Sequence, residues 1–363
     1  MTLDILKHFA FAIPTILTFS GLFNLSVLAC TRVLYSGSEN IVVTGRSMDW
    51  KEDIRSNLWV LPRGIDRNGL AGKNSIEWKS KYGSVVITGY DIGTADGMNE
   101  EGLVANLLYL AESDYGTTEG KATLSMSLWA QYFLDNYATV AEGVEDMKKE
   151  PFRVVTSTLP NGAPAQLHLS ISDSSGDSAI FEYIDGKLVI HHSKEYKVVT
   201  NSPTFEQQLA LNEYWQNIGG LNFLPGTNRA ADRFARAHFL LNSIPTKTVS
   251  NYISAVPEQK YDNQALASVL SVVRSVSVPL GITTPDQPNI ASTIWRVVAN
   301  QKNKIYYFDS ATSPNVFWID MKQLDFNPTA SVKKLSLTDG TFYAGDATKN
   351  LFSAPSFQFL SVE

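Results

Sequence analysis

The position of the single cysteine constrains this chain more than any other feature. Cys30 is the only cysteine among 363 residues. It follows directly on an uncharged stretch from Phe9 to Ala29, itself preceded by Lys7 and His8. The stretch is interrupted only by Pro14, Gly21 and a few small polar residues, and it closes on Val27-Leu28-Ala29. A β-branched residue at −3 and Ala at −1 suit a signal peptidase, so residues 1–29 read as a cleavable export signal. The stretch is also long enough to span a bilayer, and an uncleaved anchor is the competing reading. If the segment is removed, Cys30 becomes the first residue of the mature chain. One cysteine excludes an intrachain disulfide framework, a Cys-rich zinc site and a CxxC redox centre.

Three roles for Cys30 then compete. A lipoprotein carries its lipid on the cysteine after a lipobox, but Leu28 stands where a small residue is usual and Val27 where Leu is usual. Free cysteines are also often buried as small hydrophobes. The third role is that of an N-terminal nucleophile, with its own α-amino group as base. Composition narrows the background. With 30 Lys+Arg against 36 Asp+Glu the net charge is −6, too acidic for a nucleic-acid binder or a polybasic membrane-surface protein. The signal takes Asp4 and Lys7 with it, so the mature charge is unchanged. At 44% hydrophobic and 18% charged residues the chain is not disordered. Its five histidines show no metal-ligand spacing, and no G-x-G-x-x-G or Walker pattern is present. No metal and no cofactor are expected.

After Cys30 the residues Thr31–Tyr35 alternate as a strand. The chain turns at Ser36-Gly37-Ser38 and returns through Ile41–Gly45, a β-hairpin by pattern. Short β-rich runs follow at Leu58–Leu61, Ser84–Thr88 and Leu103–Leu110. Helical patterns cover about Ser125–Tyr137 and Thr139–Lys149. Strands return at Gln166–Ser172, Ala179–Ile184 and Lys187–His192. Helical stretches at about Phe205–Gln216, Arg229–Leu241 and Asn263–Val278 precede C-terminal strands at Ser292–Ala299, Lys304–Phe308 and Val316–Ile319. No repeat or long Pro/Gly/Ser linker divides the chain. Antiparallel runs separated by helix clusters make an α+β layout, with residues 30–363 as one domain. His168 reads as an ordinary strand residue, and Gly176-Asp177-Ser178 as a hairpin turn rather than a hydrolase nucleophile.

A cysteine nucleophile without a catalytic histidine needs another base. A free α-amino group, with a pKa of about 7.7–8.0, can take and return a proton near neutrality. A thiol near pKa 8.5 is mostly protonated there, so a neighbouring cation would help. The returning strand supplies Gly45-Arg46-Ser47-Met48-Asp49-Trp50, and a hairpin centred near Gly37 brings Arg46 and Asp49 back beside Cys30. Arg46 could lower the thiol pKa and Asp49 could hold the α-ammonium. An ordinary salt bridge is the alternative for that pair. Trp50 could line an aromatic pocket.

These residues belong to a larger pattern. Cys30-Thr31 with Gly45–Trp50, then Asp96-Gly97-Met98-Asn99-Glu100-Glu101-Gly102-Leu103, then Val198-Val199-Thr200-Asn201-Ser202-Pro203-Thr204-Phe205, then Leu224-Pro225-Gly226 with Asp232-Arg233-Phe234, occur in register. The sequence in this resembles the choloylglycine hydrolase family, N-terminal-nucleophile amidases that include conjugated bile salt hydrolases and penicillin V acylases. The resemblance covers essentially all of residues 30–363, and it weakens the lipid-anchor and inert-cysteine readings because neither demands the other motifs.

The resemblance implies a four-layer αββα sandwich of two antiparallel sheets. It implies Cys30 as nucleophile with its α-amine as base, Arg46 and Arg233 flanking the thiolate and Asp49 tethering the amine. Asn201 and the backbone N–H of Tyr109 would be the oxyanion donors. Tyr at position 109 resembles the penicillin V acylases, whereas bile salt hydrolases carry Asn there. The export signal and the short interval from Asn201 to Arg233 resemble the Gram-negative branch, which includes periplasmic penicillin V acylases and enzymes that deacylate N-acyl homoserine lactones. The implied substrate is a small-molecule linear amide, the location periplasmic or secreted, and the assembly a homo-oligomer, tetramer or dimer. No nucleic acid and no stable membrane contact after signal cleavage are expected. A conjugated bile salt hydrolase is the rival enzyme, and a lipoprotein lipidated at Cys30 the rival from outside enzymes.

Overall fold

The computed structural model describes residues 30–282 and 291–362; the expected export signal, 1–29, lies outside the described residues. In chain order the principal strands are β1 (Thr31–Ser36), β2 (Val42–Trp50), β3 (Leu58–Leu61), β4 (Ser84–Gly89), β5 (Gly93–Asn99) and β6 (Val104–Tyr109). They continue with β7 (Leu167–Ser172), β8 (Ser178–Ile184), β9 (Lys187–His192), β10 (Val198–Thr200), β11 (Ser292–Asn300) and β12 (Ile305–Ser310). The last are β13 (Val316–Asp320), β14 (Lys333–Leu335), β15 (Gly345–Asp346) and β16 (Phe352–Ser353). The helices are α1 (Trp129–Asn136), α2 (Val140–Met147), α3 (Phe205–Ile218), α4 (Ala230–Ser243) and α5 (Tyr261–Ser275).

The strands form two large sheets. One is seven-stranded in the order β10-β1-β2-β11-β12-β13-β15, the other nine-stranded in the order β9-β8-β7-β6-β5-β4-β3-β14-β16. Pairing is antiparallel in both except for the short β15 alongside β13. The N-terminal hairpin pairs Thr31 with Ser47 and Ser36 with Val42. Because side chains alternate across a strand, that register puts Arg32 and Arg46 on one face and Val33 and Gly45 on the other.

The second of these faces carries helices. A Cβ on Gly45 would come within 2.7 Å of Val273 and 2.9 Å of Val269, both on α5, so only glycine lets the helix lie this close. Helix α4 packs beside it on β1 and β10. On the outer face of the nine-stranded sheet, α1 buries Trp129, Phe133 and Leu134 in one apolar cluster with Val86, Ala105, Leu107, Leu169 and Phe181. Fully burying a side chain of this kind contributes about 1.5–3 kcal/mol. Helix α2 begins with a capping box, Thr139 and Glu142 satisfying each other's backbone N–H groups. The result is the α+β sandwich of the expectation, with helices outside and two sheets inside.

Polar bonds cross the layer between the sheets. Arg32, fully buried, donates across it to Ser178 Oγ at 3.1 Å and to the Ile171 carbonyl at 3.3 Å; burial lowers its pKa to about 9. Thr44 bonds Ser172 at 2.7 Å, and Arg46 meets Asp96 at 3.3 Å. Such groups are costly to bury unpaired and fix how the sheets sit on one another.

Most elements that the sequence pattern marks are present, though β2 runs on to Trp50 and the short strands β10, β14, β15 and β16 carry no pattern that marks them; two further differences have a clear physical reason. Gly93–Asn99 is a central strand although its sequence, Gly-Thr-Ala-Asp-Gly-Met-Asn, is poor in β-formers; pairing on both edges and burial override propensity. The helix expected from Ser125 begins only at Trp129, because Thr123–Ser125 pairs as a short strand with Arg153–Val155 and Met126–Leu128 forms a 3₁₀ turn.

Candidate active site

Cys30 sits at the open end of β1, 2% exposed. Continuing the β1–β2 register one step past Thr31 and Ser47 sets it opposite Met48. Its Sγ lies 3.8 Å from Met48 Sδ, 3.7 Å from Arg46 Nη2 and 4.0 Å from the Asp49 carbonyl. Arg46 is wholly buried. Its guanidinium also donates to the Leu107 carbonyl at 2.5 Å, the Ala95 carbonyl at 3.2 Å and Asp96 Oδ2 at 3.3 Å. Three acceptors on the facing sheet thus aim one Nη at the thiol. Asp96 is held in turn by Tyr306 at 2.5 Å and Asn106 at 2.7 Å; burial still raises its pKa against the pull of Arg46 and these bonds.

Asn201 follows β10, the neighbour of β1. Its Oδ1 accepts from the Cys30 nitrogen and from Arg233 Nη2 at 3.2 Å. With donors on that side, the amide nitrogen must face the other way, where it bonds the Tyr109 carbonyl at 2.7 Å. Tyr109 ends β6 of the opposite sheet, so this bond closes the site between the two sheets. Arg233 comes from α4. It touches the Cys30 carbonyl at 3.1 Å and Thr31 Oγ1 at 3.2 Å rather than the thiol. It supports the backbone at Cys30, while Arg46 alone of the two approaches the sulfur.

Asp49 lies on the strand face away from the thiol. Its carboxylate accepts from Thr293 Oγ1 at 2.5 Å and from Ser47 Oγ at 3.5 Å. Burial pushes its pKa up to about 6, with Arg233, Thr293, Ser47 and Arg46 opposing the rise. The Cys30 nitrogen bonds Asn201 instead of Asp49.

A pocket enclosing about 720 Å³, its mouth included, opens from Cys30 and Arg46. Its walls are mainly apolar and include Met48, Trp50, Leu107 and Tyr109. Trp50 packs edge-on against Tyr109 with ring centroids 6.2 Å apart, and its Nε1 donates to Tyr90 at 2.8 Å. Trp59, on the other side of the nine-stranded sheet, packs on Phe357 at 5.0 Å, and neither it nor Tyr82 lines the pocket. Among the described residues no three His, Cys, Asp or Glu side chains gather in a way that could hold a metal ion.

Some contributors escape a reading by motif. Met48 against the thiol was available from the hairpin register alone. Gln208, in the first turn of α3, bonds the Asn201 carbonyl, the Pro203 carbonyl at 2.7 Å and Thr200 Oγ1. No local signal distinguishes it from any other helix glutamine. Conversely, Asn99 in the second motif ties down a turn. It donates to the Leu134 and Tyr137 carbonyls and accepts from the Glu101 and Leu103 nitrogens, and Gly102 there has φ +90°.

This arrangement, a cysteine at the end of a sheet in a two-sheet sandwich at the foot of an apolar pocket, goes with a class of amide-bond hydrolases. Residues 30–334 match the family of linear amide C–N hydrolases, choloylglycine hydrolase family, and the chain belongs to that family. It is 50% identical over 347 residues to a penicillin V acylase of Pectobacterium atrosepticum, 92% of each chain being covered. The structure of penicillin V acylase from Agrobacterium tumefaciens superposes with a TM-score of 0.83 at 55% identity, covering 92% of this chain and all of that one. A conjugated bile acid hydrolase variant from Clostridium perfringens shares the fold at TM-score 0.68 and 22% identity, with 85% and 97% covered. The protein is a hydrolase of linear amides with the N-terminal-nucleophile fold.

Proposed function

We propose that the chain, once residues 1–29 are removed, is a periplasmic or secreted amidase of penicillin V acylase type, with Cys30 as nucleophile and N-acyl homoserine lactones as a second substrate class. The observation that carries the reading is the Cys30 thiol 3.7 Å from a buried guanidinium and opening on an apolar pocket. The thiol proton passes to the free α-amine of Cys30 as Sγ attacks the amide carbonyl carbon. Negative charge on the carbonyl oxygen is met by the Asn201 side-chain amide and the Tyr109 N–H. The α-ammonium gives its proton to the leaving nitrogen as the C–N bond breaks, leaving a thioester on Cys30. The amine then takes a proton from water, hydroxide adds to the thioester, and the acid departs as the thiol is restored. Arg46 stabilises the thiolate; Asp49, Thr293 and Arg233 hold the surrounding backbone and charge.

The test is turnover by protein beginning at Cys30. Penicillin V, a long-chain N-acyl homoserine lactone and glycocholate are compared, with Cys30→Ala in parallel. Cys30-dependent cleavage of the first two over glycocholate supports the reading. A dominant glycocholate rate makes the protein a bile salt hydrolase, and full activity in Cys30→Ala overturns the mechanism. The intact mass of membrane-extracted protein decides for or against a lipid on Cys30, and light scattering tests whether the chain forms a homo-oligomer, tetramer or dimer.

A further inference from the structure

We infer that the C-terminal segment sets the length of acyl group this enzyme accepts, through Leu360; the inference rests on the acyl-pocket reading above. The family match ends at residue 334, yet Leu360 lies on the pocket wall. Part of the binding surface therefore comes from chain beyond the family match.

The segment is fastened there. Leu360 donates its N–H to the Ile92 carbonyl at 2.9 Å, and its carbonyl accepts from Ser125 Oγ and Ser127 Oγ, both at 2.8 Å. On either side, Phe357 packs on Trp59 at 5.0 Å, Arg67 lies over the Phe359 ring at 5.1 Å, and Val362 N–H bonds the Leu70 carbonyl at 2.7 Å. The backbone at Leu360 is thus held independently of its side chain, and a substitution there changes the wall without releasing the segment.

Position along the pocket follows from β5. Ala95 bonds Arg46 and so marks the Cys30 end. Ile92, which holds Leu360, lies in the turn ahead of β5, three residues back along the chain. Leu360 therefore borders the pocket beside the turn that leads into β5 rather than beside Cys30, on the side where the tail of an acyl group would end. It meets the substrate's chain and no reacting atom, which makes it a residue of specificity rather than of chemistry.

The test uses protein beginning at Cys30 with straight-chain N-acyl homoserine lactones of graded length. Leu360→Ala removes three branched carbons of wall, a depth of two bonds, so the preferred acyl group should lengthen by about two carbons; Leu360→Trp should shorten it. A single methylene in an apolar pocket is worth about 10- to 200-fold in kcat/KM, so the long-to-short ratio should move at least about tenfold in opposite directions. Calorimetric binding of the free carboxylic acids to Cys30→Ala, with and without each Leu360 change, reads the same preference without turnover. Unchanged length preference in both folded variants, by rate and by binding, overturns the inference. Absence of turnover by the parent protein with an intact length shift in acid binding overturns the proposed reaction and leaves the pocket wall standing.

Discussion

The Cys30 sulfur and the Arg46 guanidinium stand 3.7 Å apart, and the arginine cannot turn away because its remaining bonds reach across to Leu107, Ala95 and Asp96 of the other sheet. The cation is fixed by the sandwich itself. A lysine ammonium in its place would be a point charge on a flexible stem without that fork. Arg46→Lys should therefore fold but lose about tenfold or more in the rate of thiol alkylation at neutral pH, read with iodoacetamide on protein beginning at Cys30. Arg46→Leu leaves Asp96 buried without its charge partner and should cost about 3–5 kcal/mol in denaturant melts.

On the proposed mechanism Asn201→Ala removes an oxyanion donor whose orientation Arg233 and Cys30 impose. The expected loss is about 10²–10³ in kcat with little change in KM. Steady-state kinetics on penicillin V check it.

Gln208 braces the same asparagine from below. Gln208→Met keeps length and removes the bonds to the Asn201 and Pro203 carbonyls. Leaving such groups buried and unmet costs about 1–3 kcal/mol each. Thermal melts should show that loss, and kcat should fall while KM holds, because on the proposed mechanism the displaced group acts in the transition state.

Two buried carboxyls make opposite contributions to pH dependence. Asp49 rises from 3.8 to about 6 through burial, so its ionisation costs folding free energy, and that cost develops as pH rises from about 4 through 6. Asp49→Asn should gain on the parent by on the order of 2–3 kcal/mol between pH 4 and pH 7. Glu182 is also pushed up by burial, but His168 at 2.9 Å, His191 and the Phe205 N–H pull it down to about 2. Its stabilisation is present above about pH 4.5 and lost as pH falls through 2. Glu182→Gln should be destabilised at pH 7 by on the order of 3 kcal/mol, the difference closing in acid. Urea melts at pH 7, 4 and 2 separate the two, the Asp49 difference changing between the first pair and the Glu182 difference mainly between the second.

Much of the site is legible because it is local. The spacing from Cys30 to Arg46 and Met48 is hairpin arithmetic, and strand alternation then assigns the faces. Asn201 and Arg233 need tertiary structure to reach Cys30, and only resemblance to a family brought them in. The bond from Asn201 to Tyr109 joins residues on different sheets. Asp49 is placed near the cysteine by the same arithmetic, yet alternation turns its carboxylate to Thr293, a residue 244 positions away. Periodicity cannot see such a partner. Strand β5 was hidden because its glycines and small residues are chosen for close packing, Gly97 having Leu134 and Val86 within 3 Å of where a Cβ would be. The place of Leu360 on the pocket wall depends on where the C-terminal segment docks, and no local pattern specifies that.

The bond between the Cys30 nitrogen and Asn201 can be made equally by a peptide N–H and by an α-amine. Arg233 holds the same oxygen in either case. A chain still carrying residues ahead of Cys30 would then have its proposed oxyanion donor already aimed and, on the proposed mechanism, lack only a proton acceptor. Maturation would need no rearrangement of the sheets. It would be a change in the basicity of one atom, and a precursor and its product should give nearly the same circular dichroism while differing entirely in turnover.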